Sequence, residues 1–230
     1  MDEQVATRGI ASMATRRLLE ELAACFSQQT GLPVAFEAVG GVEAARRLGA
    51  GESFDIAVLA SNVVDALVAA GRLNGAAKVD IAKSGIAIAV RSGTPHPDIC
   101  SEEAVRKAVC EAVRIGYSTG PSGMALLDLL ERWGLADALA GRLVRARPGE
   151  PVGSLLAAGA VDLGLQQLSE LVGIAGIDVV GSLPDAIQVT TVFSAAPLTG
   201  INLYKVRGLL DFLTSPASIE AKLRNGLQPL

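Results

Sequence analysis

Ser118, Gly120, Ser122 and Gly123 are residues of the kinds that hold an anion without a metal, and they fall within one short stretch. That stretch is Arg114-Ile115-Gly116-Tyr117-Ser118-Thr119-Gly120-Pro121-Ser122-Gly123. Its apolar residues stop at Tyr117, and a helical spacing of Leu126, Leu127, Leu130 and Trp133 begins after Ser122. The pattern reads as a strand, a tight turn and a helix start. Such a turn offers backbone amides, two or three hydroxyls and the positive end of a helix dipole, with no bulky side chain in the way. Gly-Pro-Ser-Gly is equally an ordinary turn and Ser122 an ordinary N-cap, so this turn alone does not separate a ligand site from a structural one. No Gly-x-Gly-x-x-Gly and no Gly-Lys-Ser/Thr occurs, which sets dinucleotide and Walker-type nucleotide binding aside.

The elements that must position such a turn repeat along the chain. Val5 to Ile10 approaches Ala11-Ser12-Met13-Ala14-Thr15, and an amphipathic helix follows through about Gln28, with Leu18, Leu19, Leu22, Cys25 and Phe26 on its apolar face. Ser12 there is either an N-cap or a ligand hydroxyl. Pro33 to Val39 alternates like a strand, Gly40-Gly41 turns, and Val42 to Leu48 is helical, with Glu43 placed to complement the dipole. Phe54 to Ala60 is a short buried strand that hands over to a third helix at Ser61-Asn62. Strand, small polar turn and helix, three times over, predict a parallel sheet whose turns gather at its carboxyl edge, so that Ser12, Gly41 and Ser61 converge.

Around Lys83 the rhythm changes. Ser84 to Arg91 is a continuous apolar strand, Thr94 to Asp98 a Pro-rich loop, and Ser101 to Val113 a helix. His96, between two prolines, reads as a solvent-facing turn residue. Pro151 suits the first turn of a helix from Val152 to Ala158. In Val161 to Glu170, Gln166 and Gln167 interrupt an apolar run where unpaired amides are costly. They are a core bridge or a ligand contact, and contact is favoured because a parallel sheet puts them on the edge of Ser118 and Ser122. Glu170 either caps a helix start or titrates in a cleft. Ala186 to Ser194 is a long β-branched strand able to cross back, and Val206 to Leu213 and Ala217 to Leu223 are helices, the last opened by Pro216. The expected architecture is α/β. Two Rossmann-like lobes, 1–83 plus 194–230 and 84–193, are joined by two crossing strands near 86–90 and 189–193, with the ligand cleft between them.

Composition narrows the function classes. Half of the 230 residues are apolar, enough for a full core without metal or disulfide. The net charge is −4, no basic cluster occurs, and aromatics are 3%, which argues against nucleic acid or an anionic membrane as partner. Cys25, Cys100 and Cys110 show no Cys-x-x-Cys spacing, and there is one His, so neither a zinc site nor another cofactor is implied. Three such thiols fit a reducing compartment. Met1-Asp2-Glu3-Gln4 is acidic and no apolar leader is visible, which reads as cytoplasmic as written and periplasmic if a leader was removed. The apolar runs are too short to span a bilayer, so no direct membrane insertion is expected.

The order of these motifs resembles the type II periplasmic solute-binding proteins, and within them the molybdate-binding branch. The resemblance rests on Ala11-Ser12-Met13-Ala14-Thr15, Gly40-Gly41, Phe54 to Ser61, the Gly-Tyr-Ser-Thr-Gly-Pro-Ser-Gly turn, Val161 to Gln167 and Phe212-Leu213-Thr214-Ser215-Pro216-Ala217. It implies two lobes closing on a small anion held by Ser12, the Gly41 turn, the Ser118 to Gly123 turn, the helix start at Val152 and the end of the Gly164 to Gln167 strand. A molybdate site has a serine where this chain has Gly41 and a tyrosine where it has Gln167, so an organic di- or tricarboxylate is expected instead. A transporter partner is implied only if a leader was removed. The fold is also similar to that of the aconitate isomerases, which shift a double bond in an unsaturated tricarboxylate. That implies an enzymatic alternative needing a base, for which Ser12, Glu37, Glu43, Tyr117 and Glu170 are candidates. A ligand sensor read by a partner protein is the third reading.

Overall fold

A computed structural model describes residues 6–230, so Val5 and the acidic start Met1 to Gln4 lie outside the described residues. The chain forms two compact units, one of residues up to Lys83 together with Thr191–Leu230, the other Ser84–Thr190. In the first unit β1 (Thr7–Ser12), α1 (Arg16–Thr30), β2 (Val34–Val39), α2 (Gly41–Gly49), β3 (Ile56–Ala60) and α3 (Ser61–Ala69) follow in order. The long strand β4 (Val79–Arg91) leads into the second unit. There come α4 (Glu102–Glu111), β5 (Ile115–Tyr117), α5 (Pro121–Arg132), α6 (Ala136–Leu139), β6 (Leu143–Arg145), α7 (Val152–Ala157), β7 (Leu163–Gln167), α8 (Leu168–Leu171) and β8 (Ile177–Ser182). The chain returns through β9 (Thr190–Pro197) to α9 (Leu203–Thr214) and α10 (Ile219–Arg224).

In the first unit β1 pairs in parallel with both β2 and β3, while β9 runs antiparallel to β3. Helix α1 forms because Leu18, Leu19, Leu22 and Phe26 recur on one face, and all four are buried. Burial of each is worth about 1.5–3 kcal/mol. The face packs beneath the sheet and against α9, with the Phe26 and Phe212 rings 5.5 Å apart. Gly31, at φ 75°, ends the helix in a left-handed turn that returns its N–H to Ser27 O. A polar clamp holds the entry to β3, where the Asp55 carboxylate accepts from Arg8 N–H and from Lys205 Nζ, each at 2.8 Å. Removing this largely buried carboxylate leaves the Lys205 ammonium and the Arg8 N–H without their partner. Asp55→Ala is therefore expected to destabilise the protein by about 2 kcal/mol in urea unfolding, with secondary structure kept.

In the second unit β5 lies between β6 and β7, parallel to both, and β7 and β8 flank β4 antiparallel. The sheets are thus mixed, and the strands that carry the chain between units are the antiparallel ones. Several boundaries differ from the sequence reading: β4 begins at Val79 rather than Ser84, and Pro216 opens a 3-10 turn ahead of α10, which starts at Ile219. Helix α5 starts at Pro121, with Gly120 as N-cap and Ser122 inside the first turn, because proline's fixed φ suits the first helical position. Pro151 is the N-cap of α7 rather than part of its first turn. The stretch from Ala186 to Val189 is not strand; a short 3-10 turn spans Asp185–Ile187 and the strand begins at Thr190. The reason is Gln188, whose side chain mimics a neighbouring strand: Oε1 accepts from Ile86 N–H at 2.7 Å, and Nε2 donates to Ile86 O at 3.0 Å. No helix among the described residues is long and apolar enough to cross a membrane.

Candidate functional site

Strand register decides which turns share an edge. In the first unit Ser12 pairs with Val39 and Ala11 with Val58, so the parallel strands end together and deliver Ser12-Met13, Gly40-Gly41 and Ser61 to one carboxyl edge. Ser12 Oγ lies 3.4 Å from Thr15 Oγ1, which donates to Ser12 O at 3.1 Å. Ser12 makes no side-chain cap bond, so its hydroxyl is not spent on the helix start. Ser61 Oγ accepts from Lys78 Nζ at 2.7 Å, and the same ammonium meets Asp65 at 2.6 Å. Thr15 and Lys78 are not singled out by the sequence motifs. Thr15 could have been, three residues after Ser12; Lys78, 17 residues beyond Ser61, gives no local signal.

In the second unit Tyr117 pairs with Leu165 on one side and Arg145 on the other. The Ser118 turn, the loop after β6 and the Gln167 end of β7 therefore occupy one carboxyl edge. Ser118 Oγ is 2.9 Å from Ser122 Oγ and accepts from Gly120 N–H at 3.2 Å. When Ser122 donates to Ser118, the Ser118 proton is left to donate outward. Ser122 is only 1% exposed, so it orients Ser118, while its own N–H stands in a first helical turn that supplies no acceptor. Gly123 is buried under this turn, with its N–H returned to Gly120 O at 3.0 Å.

Two residues expected at a ligand are bonded to each other: Val152 N–H, at the start of α7, donates to Gln166 Oε1 at 2.7 Å. The bond bridges the end of β7 to the start of α7 and leaves the Gln166 amide nitrogen to donate. That group meets the Glu170 carboxyl, whose pKa burial pushes up to about 7 against the lowering effect of the Gln166 bond. Glu170 itself is half-buried, and its neighbour Ser169 carries a buried hydroxyl with no partner. Gln167 is buried at the end of β7.

The candidate bases sort by environment. Glu37 is exposed and paired with Arg47, and Glu43 is paired with Arg46 at 2.7 Å. In each case the guanidinium bond holds the carboxyl below its usual range. Both are ionised and engaged at neutral pH, which suits a surface clamp better than proton transfer. Tyr117 packs partly buried against the core of its unit. Glu170 alone among these acids is raised towards neutrality. His96 is exposed, 3.5 Å from Asp178, in the loop beyond β4 and not in any strand-to-helix turn. No group of three or more His, Cys, Asp or Glu side chains among the described residues could hold a metal ion.

Two sheet edges of hydroxyls and first-turn amides on α/β units define a solute-binding architecture, and the sequence agrees. Residues 8–228 match the family described as bacterial extracellular solute-binding protein, and the chain belongs to that family. It is 34% identical over 218 residues to an aconitate isomerase from Pseudomonas sp, covering 92% of this chain and 83% of that one. The fold is that of the periplasmic molybdate-binding protein of Azotobacter vinelandii, at TM-score 0.81 and 19% identity, covering 96% and 98% of the two chains. It is likewise that of PEB3 solved with L-phospholactate, at TM-score 0.76 and 14% identity, covering 97% and 100%.

Proposed function

We propose that this protein binds a small organic anion, a di- or tricarboxylate, through hydroxyls and first-turn amides rather than through an ion pair. The observation that carries this is the Ser118–Ser122 hydroxyl pair at the start of α5, fixed by the Gly120 amide and leaving a donor and a helix dipole facing outward. Hydroxyls of the same type, Ser12 and Ser61, stand at the carboxyl edge of the first unit. The residues next to the turns favour an organic ligand over a bare oxyanion: Val42, after Gly41, is 79% exposed, and Met124, after Gly123, is 59% exposed. Exposed apolar side chains beside an anion turn match a carbon skeleton better than a compact inorganic ion.

Isothermal titration of the Ser118→Ala variant tests the assignment. A hydrogen bond to a charged group contributes about 1.5–3 kcal/mol, so affinity for the best-bound carboxylate should fall about 10- to 100-fold while the unfolding midpoint barely moves. Unchanged affinity removes Ser118 from the site.

A second reading, in which the bound acid is also isomerised, is favoured by one observation: the 34% identity to an aconitate isomerase extends over 92% of the chain. The ligand class is the same in both readings. They differ in whether a carbon-bound hydrogen exchanges with solvent.

A further inference from the structure

Glu170, in the second unit, is an acidic group that the binding reading does not use. It stands in α8, which follows directly on the carboxyl end of β7, the strand that runs parallel to β5 and its Ser118 turn. Its surroundings are unusual for a carboxylate. The strand beside it, β7, reads Leu163-Gly164-Leu165-Gln166-Gln167, and the helix packed on it, α7, reads Val152-Gly153-Ser154-Leu155-Leu156-Ala157, so neither contributes a charge. The rest of α8, Leu168, Ser169 and Leu171, contributes none either. No ion pair among the described residues reaches Glu170; its partner is the Gln166 amide, whose orientation is fixed because Oε1 is committed to Val152 N–H at 2.7 Å. A carboxyl held by a neutral donor, in an apolar setting, is not tied to a structural cation. It also retains partial exposure, so a bound molecule can reach it.

We propose that Glu170 is the proton-transfer residue of this protein, acting on an unsaturated polycarboxylate at a carbon next to a carboxylate group. The proposal deepens the isomerase reading above and rests on it. In the step, the Glu170 carboxylate takes a proton from the allylic carbon. The C–H bond breaks and its electron pair forms the new double bond, while the old π pair shifts to the far carbon. The Glu170 carboxylic acid, being partly exposed, trades its proton with water and then protonates that carbon, so the group is regenerated as carboxylate and nothing is oxidised or reduced. One group serves both ends of the transfer, which requires it to lose and gain a proton with near-equal ease at the working pH. Desolvation has brought Glu170 to that condition, at about 7. Gln166 is then a positioning residue, holding the carboxyl on the sheet edge.

The test combines binding and exchange on the intact protein, with aconitate as the probe. Wild type in deuterated water should replace a carbon-bound hydrogen of aconitate by deuterium, with a rate that rises with pH and levels off above about 7, because the ionised form is the base. Glu170→Gln should lower that rate by at least about 100-fold, the usual contribution of a positioned acid–base group, with the dissociation constant for aconitate changed less than about fivefold. Glu170→Asp, which keeps the carboxyl on a shorter arm, should recover part of the rate and keep a pH limb. Exchange that persists undiminished in Glu170→Gln overturns the assignment. So does wild-type binding of aconitate with no exchange, which leaves the binding reading standing. Absence of aconitate binding removes the assignment and the tricarboxylate reading together.

Discussion

Gly123→Ala is expected to dismantle the Ser118 turn, abolish ligand binding and destabilise the protein by at least about 3 kcal/mol, the upper range for over-packing. A Cβ at this position would stand 1.9 Å from Ser118 O and 2.8 Å from Ser118 C, with Tyr117 Cδ2 at 3.2 Å. The first two are backbone atoms of the turn itself, so no rotamer change relieves the clash. Space can come only from moving Ser118, and its hydroxyl is what holds Gly120 N–H and meets Ser122. The neighbouring Gly120→Ala is the control. Its Cβ would come no nearer than 3.7 Å to Ser118 Oγ, an ordinary contact, and its φ of −93° suits any residue. Urea unfolding with a parallel titration of ligand should find the first variant crippled and the second within about 1 kcal/mol of wild type. Two equally tolerant positions would mean that the turn has room to spare and is not close-packed around Gly123.

The second large effect is a gain. Glu170→Gln should stabilise the folded protein at pH 8 by about 2–3 kcal/mol, because wild type must keep an unpaired carboxylate in an apolar setting there. The folded-state pKa is raised from the ordinary 4.5 to about 7. Between those values the folded protein binds more protons than the unfolded chain, so stability falls as pH rises through the window and levels off above about 7. At roughly 1.4 kcal/mol per pH unit the full window amounts to about 3 kcal/mol. Glutamine carries no proton to lose, and its amide oxygen can still accept from Gln166. The variant's advantage should therefore vanish below about pH 4.5 and be complete above about pH 7. Unfolding midpoints measured at pH 4, 6 and 8 decide it, and a variant less stable than wild type at pH 8 would contradict the desolvation argument. The same substitution that stabilises is expected to remove proton exchange, which is the trade expected of a group kept for chemistry rather than for folding.

Much of the fold was legible because each unit repeats a local grammar. The apolar faces of α1 and α9, the buried run Ile56 to Ala60 and the glycine at the end of α1 can be read from spacing and composition, and the structure places all of them as elements of the core or its ends. Convergence of Ser12, Gly41 and Ser61 on one edge was implied once the strands were read as parallel, which the β1 registers show. The features that stayed hidden depend on contacts between distant residues. Gln188 replaces a strand partner for Ile86 across 102 positions, and nothing near Gln188 announces it. Gln166 reads in sequence as a buried amide in need of partners, but the backbone amide it accepts from lies 14 residues away. Glu37 and Glu43 read as candidate bases in sequence, and only the fold brings Arg47 and Arg46 onto them. Glu170 could be nominated from sequence but not distinguished, since its raised pKa arises from the lack of charge and water around it.

Calorimetric titration of the purified protein with aconitate, a saturated tricarboxylate, a monocarboxylate and molybdate, in parallel, is the most direct measurement of what this protein holds. The hydroxyl-and-amide site with apolar neighbours predicts roughly micromolar binding of a di- or tricarboxylate and much weaker binding of molybdate. Molybdate bound more tightly than every carboxylate, or no binding by any of them, would contradict it.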